Sequence, residues 1–109
     1  MKVKLKNSTG GSISVDIEMN DTPKQIIAKA IAQNDEFDVE SVFYDIYHHE
    51  SMKKQGIDIN LCVFSLETKY GIAPLDWDIP VGKQVKQQIN QIINEGYDVI
   101  FYFTVTQYA

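Results

Sequence analysis

The sequence predicts an α+β domain with two helices on one face of a mixed sheet. Three observations carry this. Lys2 to Lys6 and Ser12 to Met19 alternate polar and apolar residues with period two, the mark of half-buried strands. Two segments, each opened by a proline, carry apolar residues at helical spacing. β-branched and aromatic runs lie between and after them, so strands and helices mix without strict alternation. The expected order is β-β-α-β-β-α-β.

The first two strands read as an antiparallel hairpin. Val3 and Leu5 share one face, and Lys2, Lys4 and Lys6 share the other. Ile13, Val15, Ile17 and Met19 point inward opposite Ser12, Ser14, Asp16 and Glu18. Ser8-Thr9-Gly10-Gly11 supplies the turn. Pairing Leu5 with Ile13 and Val3 with Val15 sets Lys2 opposite Asp16, so charge and apolar register agree.

Thr22-Pro23-Lys24-Gln25 reads as a capping box, with Thr22 the N-cap, Pro23 the first helical residue and Gln25 the reciprocal partner. Ile26, Ile27, Ala30 and Ile31 form the buried stripe of a helix running to about Gln33 or Asn34. Ser41 to His48 and Ile57 to Leu66 read as strands, the second alternating through Ile57, Ile59, Leu61 and Val63. Thr68 to Pro80 holds Gly71, Pro74 and Pro80 and reads as an irregular connection. A second helix spans about Val81 to Glu95, burying Val81, Val85, Ile89, Ile92 and Ile93 and ending at Gly96. Val99 to Thr106 is apolar on both faces and belongs inside the sheet.

Composition narrows the function classes. The chain has 109 residues, enough for one compact domain over 1–109. At 44% hydrophobic and 23% charged it has the make-up of a folded soluble protein. All ten basic residues are Lys, against 15 acids, for a net charge of −5. Arg is the preferred side chain for bidentate phosphate and base-edge contacts, so direct nucleic-acid binding is not expected. The start MKVKLKN has no apolar run after its lysines, and no stretch approaches the roughly 18 apolar residues of a spanning helix. A cytoplasmic protein, with no membrane partner, is expected.

Residues 1 to about 31 resemble the ubiquitin-like (β-grasp) superfamily. Met1, Lys6, the Thr9-Gly10 turn, Ile13, Glu18, the Asp21-Thr22 helix start and Ala28-Lys29 carry the resemblance without a gap. It implies a ubiquitin-like roll whose last strand, Val99 to Val105, runs parallel to Lys2–Lys6, with the second helix longer than the family's usual one. Conjugated members and sulfur carriers end in a flexible Gly-Gly tail. This sequence ends Thr106-Gln107-Tyr108-Ala109, so conjugation and sulfur transfer are not implied.

No constellation points to catalysis. His48 and His49 are adjacent on an expected strand and point to opposite faces, which does not suit one metal. Cys62 lies between Leu61 and Val63 and reads as a structural thiol. No cofactor is expected. Candidate partner contacts fall in two places. Asp35, Glu36, Asp38 and Glu40, followed by Asp45 and Glu50, form a run with no Lys between 35 and 50. Such a run is either a solvated face or a surface for a partner protein with a basic face. Tyr70 and Asp76-Trp77-Asp78 lie in the Pro-bounded connection. There Trp77 is either tucked into the core or an exposed interface anchor. The expected function is a non-enzymatic protein-interaction module. The alternative is an acidic inhibitor of a nucleic-acid-binding protein, of the kind phages and mobile elements use against host defences.

Overall fold

The computed structural model describes residues 1–7, 12–33 and 62–105. Five strands form one sheet: β1 (Lys2–Asn7), β2 (Ser12–Asp16), β3 (Cys62–Thr68), β4 (Gly71–Leu75) and β5 (Ile100–Val105). Among the described residues two helices accompany it, α1 (Pro23–Gln33) and α2 (Val81–Asn94). The strand order is β2-β1-β5-β3-β4. β1 and β5 run parallel and the other neighbours antiparallel, so the sheet is mixed. The order of described elements is β-β-α-β-β-α-β, consistent with a ubiquitin-like roll.

The hairpin has the register its charges and apolar faces require: Leu5 opposite Ile13, Val3 opposite Val15 and Lys2 opposite Asp16. β5 sits between β1 and β3, as a strand apolar on both faces should. One face of the sheet supplies Val3, Leu5, Val15, Phe64, Leu66, Leu75, Phe101 and Phe103 to a single core. Both helices close over it, α1 with Ile26, Ile27 and Ala30, α2 with Val81, Val85 and Ile89. Phe64 and Phe101 stack with ring centroids 5.1 Å apart at the centre.

Three expectations need correction. The segment Thr68 to Pro80 is not wholly irregular, because Gly71–Leu75 pairs with β3 as a strand. Lys69 and Tyr70 make the tight turn, and Gly71 takes the positive φ of 124°. Pro74 is tolerated because β4 is an edge strand, where a missing N–H costs little. In β3 the core residues are Phe64 and Leu66, while Val63 is only half-buried. The core-facing set is thus opposite in parity to the Leu61–Val63 alternation. On α2, Ile92 is half-buried and Ile93 is 46% exposed, so the buried stripe ends earlier than its sequence implies. The Ser8–Gly11 turn, the expected strand Ser41–His48, His48 and His49, and the Cys62 side chain lie outside the described residues.

Local hydrogen bonds explain how the two halves join. Thr22 Oγ1 accepts the Gln25 N–H at 3.2 Å, and Gln25 Oε1 accepts the Thr22 N–H at 2.9 Å, so the capping box is formed. Asp21 is 8% exposed. Its Oδ2 accepts the Glu18 N–H at 2.8 Å and the Lys29 ammonium at 2.6 Å. That holds residues 18–21 in a fixed turn. The turn then offers two carbonyls to α2: Asp21 O accepts the Val81 N–H and Met19 O the Gly82 N–H, both at 2.9 Å. Donors that a helix start leaves unpaired are thereby satisfied without a side-chain cap.

Two glutamines, one on each helix, tie the helices to strand ends. Gln33 accepts the Asp16 N–H at 2.7 Å and donates to its carbonyl at 2.9 Å. Gln84 does the same to Asp76, at 2.7 and 3.0 Å, and donates to Ile79 O at 2.7 Å.

A Cβ on Gly82 would lie 2.8 Å from Met19 O and 3.0 Å from Met19 Cβ. Gly82→Ala should therefore force α2 away from the 18–21 turn and cost about 1–3 kcal/mol, as overpacking does. Chemical denaturation checks this, and unchanged stability would mean that the contact is not made in solution.

Candidate functional site

The described surface has an open groove of about 880 Å³ at the end of the sheet, between the β3–β4 turn and the C-terminal half of α2. Its two sides are held by backbone chemistry. On one side, Thr68 Oγ1 donates to Gly71 O at 2.8 Å and accepts the Tyr70 N–H at 3.2 Å. This leaves Tyr70 standing out from the turn, 88% exposed. On the other side, α2 ends in a Schellman motif. The Gly96 N–H bonds Ile93 O and the Tyr97 N–H bonds Ile92 O, both at 3.0 Å, with Gly96 at φ 81°. That reversal places Tyr97 on the groove wall with Ile92, and Tyr97 is 70% exposed.

Ala73, Ile92 and Ile100 give the groove apolar lining, and Gln87, Gln88 and Gln91 give it neutral polar lining. Its charges have partners within the fold. Lys69 Nζ is 3.4 Å from Glu95 Oε1 and 5.3 Å from the Tyr70 ring centroid. The hydrogen bond with Glu95 raises the Lys69 pKa above the usual lysine value. Asp98 pairs with Lys4 at 3.0 Å. Glu67 accepts the Tyr102 hydroxyl at 3.2 Å. The lining thus has two exposed aromatic rings and ionic groups already engaged.

The residues singled out from sequence separate here. Tyr70 is on the groove rim. Trp77, a candidate partner contact, is 8% exposed and belongs to the core. Its ring centroid lies 5.5 Å from that of Phe64 and 5.9 Å from that of Phe103. Burying so large an apolar ring outweighs leaving it as an anchor. Asp76 and Asp78 are exposed but occupied locally. Asp76 Oδ1 accepts the Asp78 N–H at 2.8 Å, and Asp78 Oδ1 pairs with Lys24 at 2.7 Å. Asp35, Glu36, Asp38 and Glu40 lie outside the described residues. Tyr97 and Glu95 were not singled out. The signal for Tyr97 was its position just after Gly96, since a Schellman turn sets that residue beside the one five positions earlier.

Among the described residues no group of three or more His, Cys, Asp and Glu could hold a metal ion, and no helix is long and apolar enough to cross a membrane. No protein-family model matches the chain, and a search of curated proteins finds no match.

Two outcomes follow from this geometry. Trp77→Ala should cost about 3–5 kcal/mol, the range for emptying a large aromatic site; a denaturation curve near that of the unaltered protein would place Trp77 outside the core. Tyr102 has its pKa raised above the usual tyrosine value, first by burial and then by the neighbouring Glu67 charge. The neutral phenol is favoured by folding. Its contribution is complete below the unfolded value of about 10 and is lost as pH rises through the higher folded one. The 295 nm titration difference between the protein and Tyr102→Phe should show a late-ionising tyrosine, which Glu67→Gln moves earlier.

Proposed function

We propose that the chain is a small, non-enzymatic protein-interaction module with a ubiquitin-like core, and that the groove between the β3–β4 turn and the end of α2 is its contact surface. The observation that carries this reading is the pair of exposed tyrosines, Tyr70 and Tyr97, on opposite sides of one groove. Large amphipathic rings add contact area at little entropic cost, and tyrosine is enriched at binding hot spots. Both rings stand on hydrogen-bonded turns, so their backbone is already ordered before a partner arrives. The neighbouring ionic groups have partners inside the fold, so covering them leaves no charge unpaired.

The test compares capture by the protein and by a Tyr70→Ala, Tyr97→Ala variant, using native-host extract at low and high salt. The variant should lose the captured protein while its melting temperature changes by only a few degrees, as surface substitutions do. Capture that survives in this variant but is lost on changing Asp35, Glu36 and Asp38 to Lys would overturn the groove. It would favour an acidic inhibitor working through residues 35–40.

A further inference from the structure

We propose that the groove receives an arginine side chain from an extended segment of the partner protein; this rests on the groove being the contact surface. Three observations lead there. First, its lining holds three carboxylates, and with Asp98 paired to Lys4 the remaining two, Glu67 and Glu95, face the single lining cation Lys69. Second, α2 ends at this groove with no basic residue in its last turn. The negative end of the helix dipole therefore adds to the carboxylate field instead of being offset.

Third, a cation of the chain itself already occupies the position. Lys69 Nζ sits between the Glu95 carboxylate, at 3.4 Å, and the Tyr70 face, at 5.3 Å from the centroid. Both contacts are long. The Lys69 and Glu95 side chains are 49% and 40% exposed, so water competes at both ends. An incoming guanidinium would make better use of the same pair. Its planar fork bonds a carboxylate at two points and stacks flat on a tyrosine, which an ammonium cannot do. Its aliphatic stem needs apolar surface, which Ile92 and Ile100 provide. The primary amide of Gln87 can donate to and accept from the backbone of an extended segment, and Gln91, whose nitrogen donates to Glu95 Oε1 at 3.4 Å, keeps its oxygen as an acceptor. Lys69 then acts as an internal competitor for the site, and removing it should strengthen binding.

The experiment follows the backbone amide resonances of the isotope-labelled full chain during titration with three probes: the N-acetyl amides of arginine, norleucine and glutamate. The arginine probe should give saturable shifts concentrated at Tyr70, Glu95 and Tyr97, weakening as salt rises. The norleucine probe should shift the same residues several-fold more weakly, and the glutamate probe should not shift them. Glu95→Gln should weaken the arginine response several-fold, and Lys69→Met should strengthen it, with resonances of the core strands unmoved in both. Equal responses to arginine and norleucine would overturn cation recognition and leave the contact-surface reading standing. A weaker arginine response in Lys69→Met, or arginine shifts scattered over the surface, would also overturn it. No groove response to any probe would overturn arginine recognition and leave the contact surface to the Tyr70→Ala, Tyr97→Ala capture test.

Discussion

Two carbonyl oxygens set where α2 begins. Met19 and Asp21 accept its first N–H groups, which ties the β1–β2–α1 part of the chain to α2 alongside the β5 ladders to β1 and β3. Asp21 makes this possible by fixing its own turn, accepting one N–H from Glu18 and the ammonium of Lys29. The arrangement explains why a helix without an N-cap side chain can begin directly after Pro80. It also explains why Gly82 has no side chain, since Met19 O is 2.8 Å from where a Cβ would be. With α2 placed, Val81, Val85 and Ile89 complete the core over Phe64, Phe101 and Phe103.

The two glutamines extend the same logic to the sheet margins. Each uses a primary amide to bond both backbone groups of one aspartate, Asp16 at the end of β2 and Asp76 just beyond β4. These are the two outer strands of the sheet. A primary amide copies the donor and acceptor of a peptide group, so it can take the place of a neighbouring strand at one residue. Pro74 also lies on an edge strand, where it offers no N–H for another strand to pair with. Edge pairing by another chain is thereby discouraged on β4, while the groove at the turn stays open.

Much of the architecture was legible in the sequence because it rests on local rules. The hairpin register, the Thr22–Gln25 capping box and the stop at Gly96 each need only a few neighbouring residues to specify them, whereas the parallel placement of the last strand was implied by the resemblance of residues 1–31 to the ubiquitin-like roll. β4 was not legible, because Gly71 and Pro74 signal irregular chain wherever a strand's position in the sheet is unknown. Only its place at an edge makes Pro74 acceptable. The site was half legible. Tyr70 stood out by type and by its turn, whereas Glu95 and Lys69 are 26 residues apart and meet only in the folded chain. Trp77 had two readings from its size alone. The choice between them required Phe64 and Phe103 to come together across β3 and β5.

α2 is not one uniform rod. Val85 has φ −139° and ψ 27°, outside the helical range, and interrupts the helix one turn after its start. The short first segment is anchored to the 18–21 turn and to Asp76, and the longer second segment carries the groove wall. The joint separates the anchoring stretch from the groove-lining one. Side chains of the groove segment, such as Gln87, Gln91 and Glu95, can therefore change while the contacts of the first segment with the 18–21 turn stay in place. A helix with a break after its anchor makes the groove wall an exchangeable part on a fixed mount.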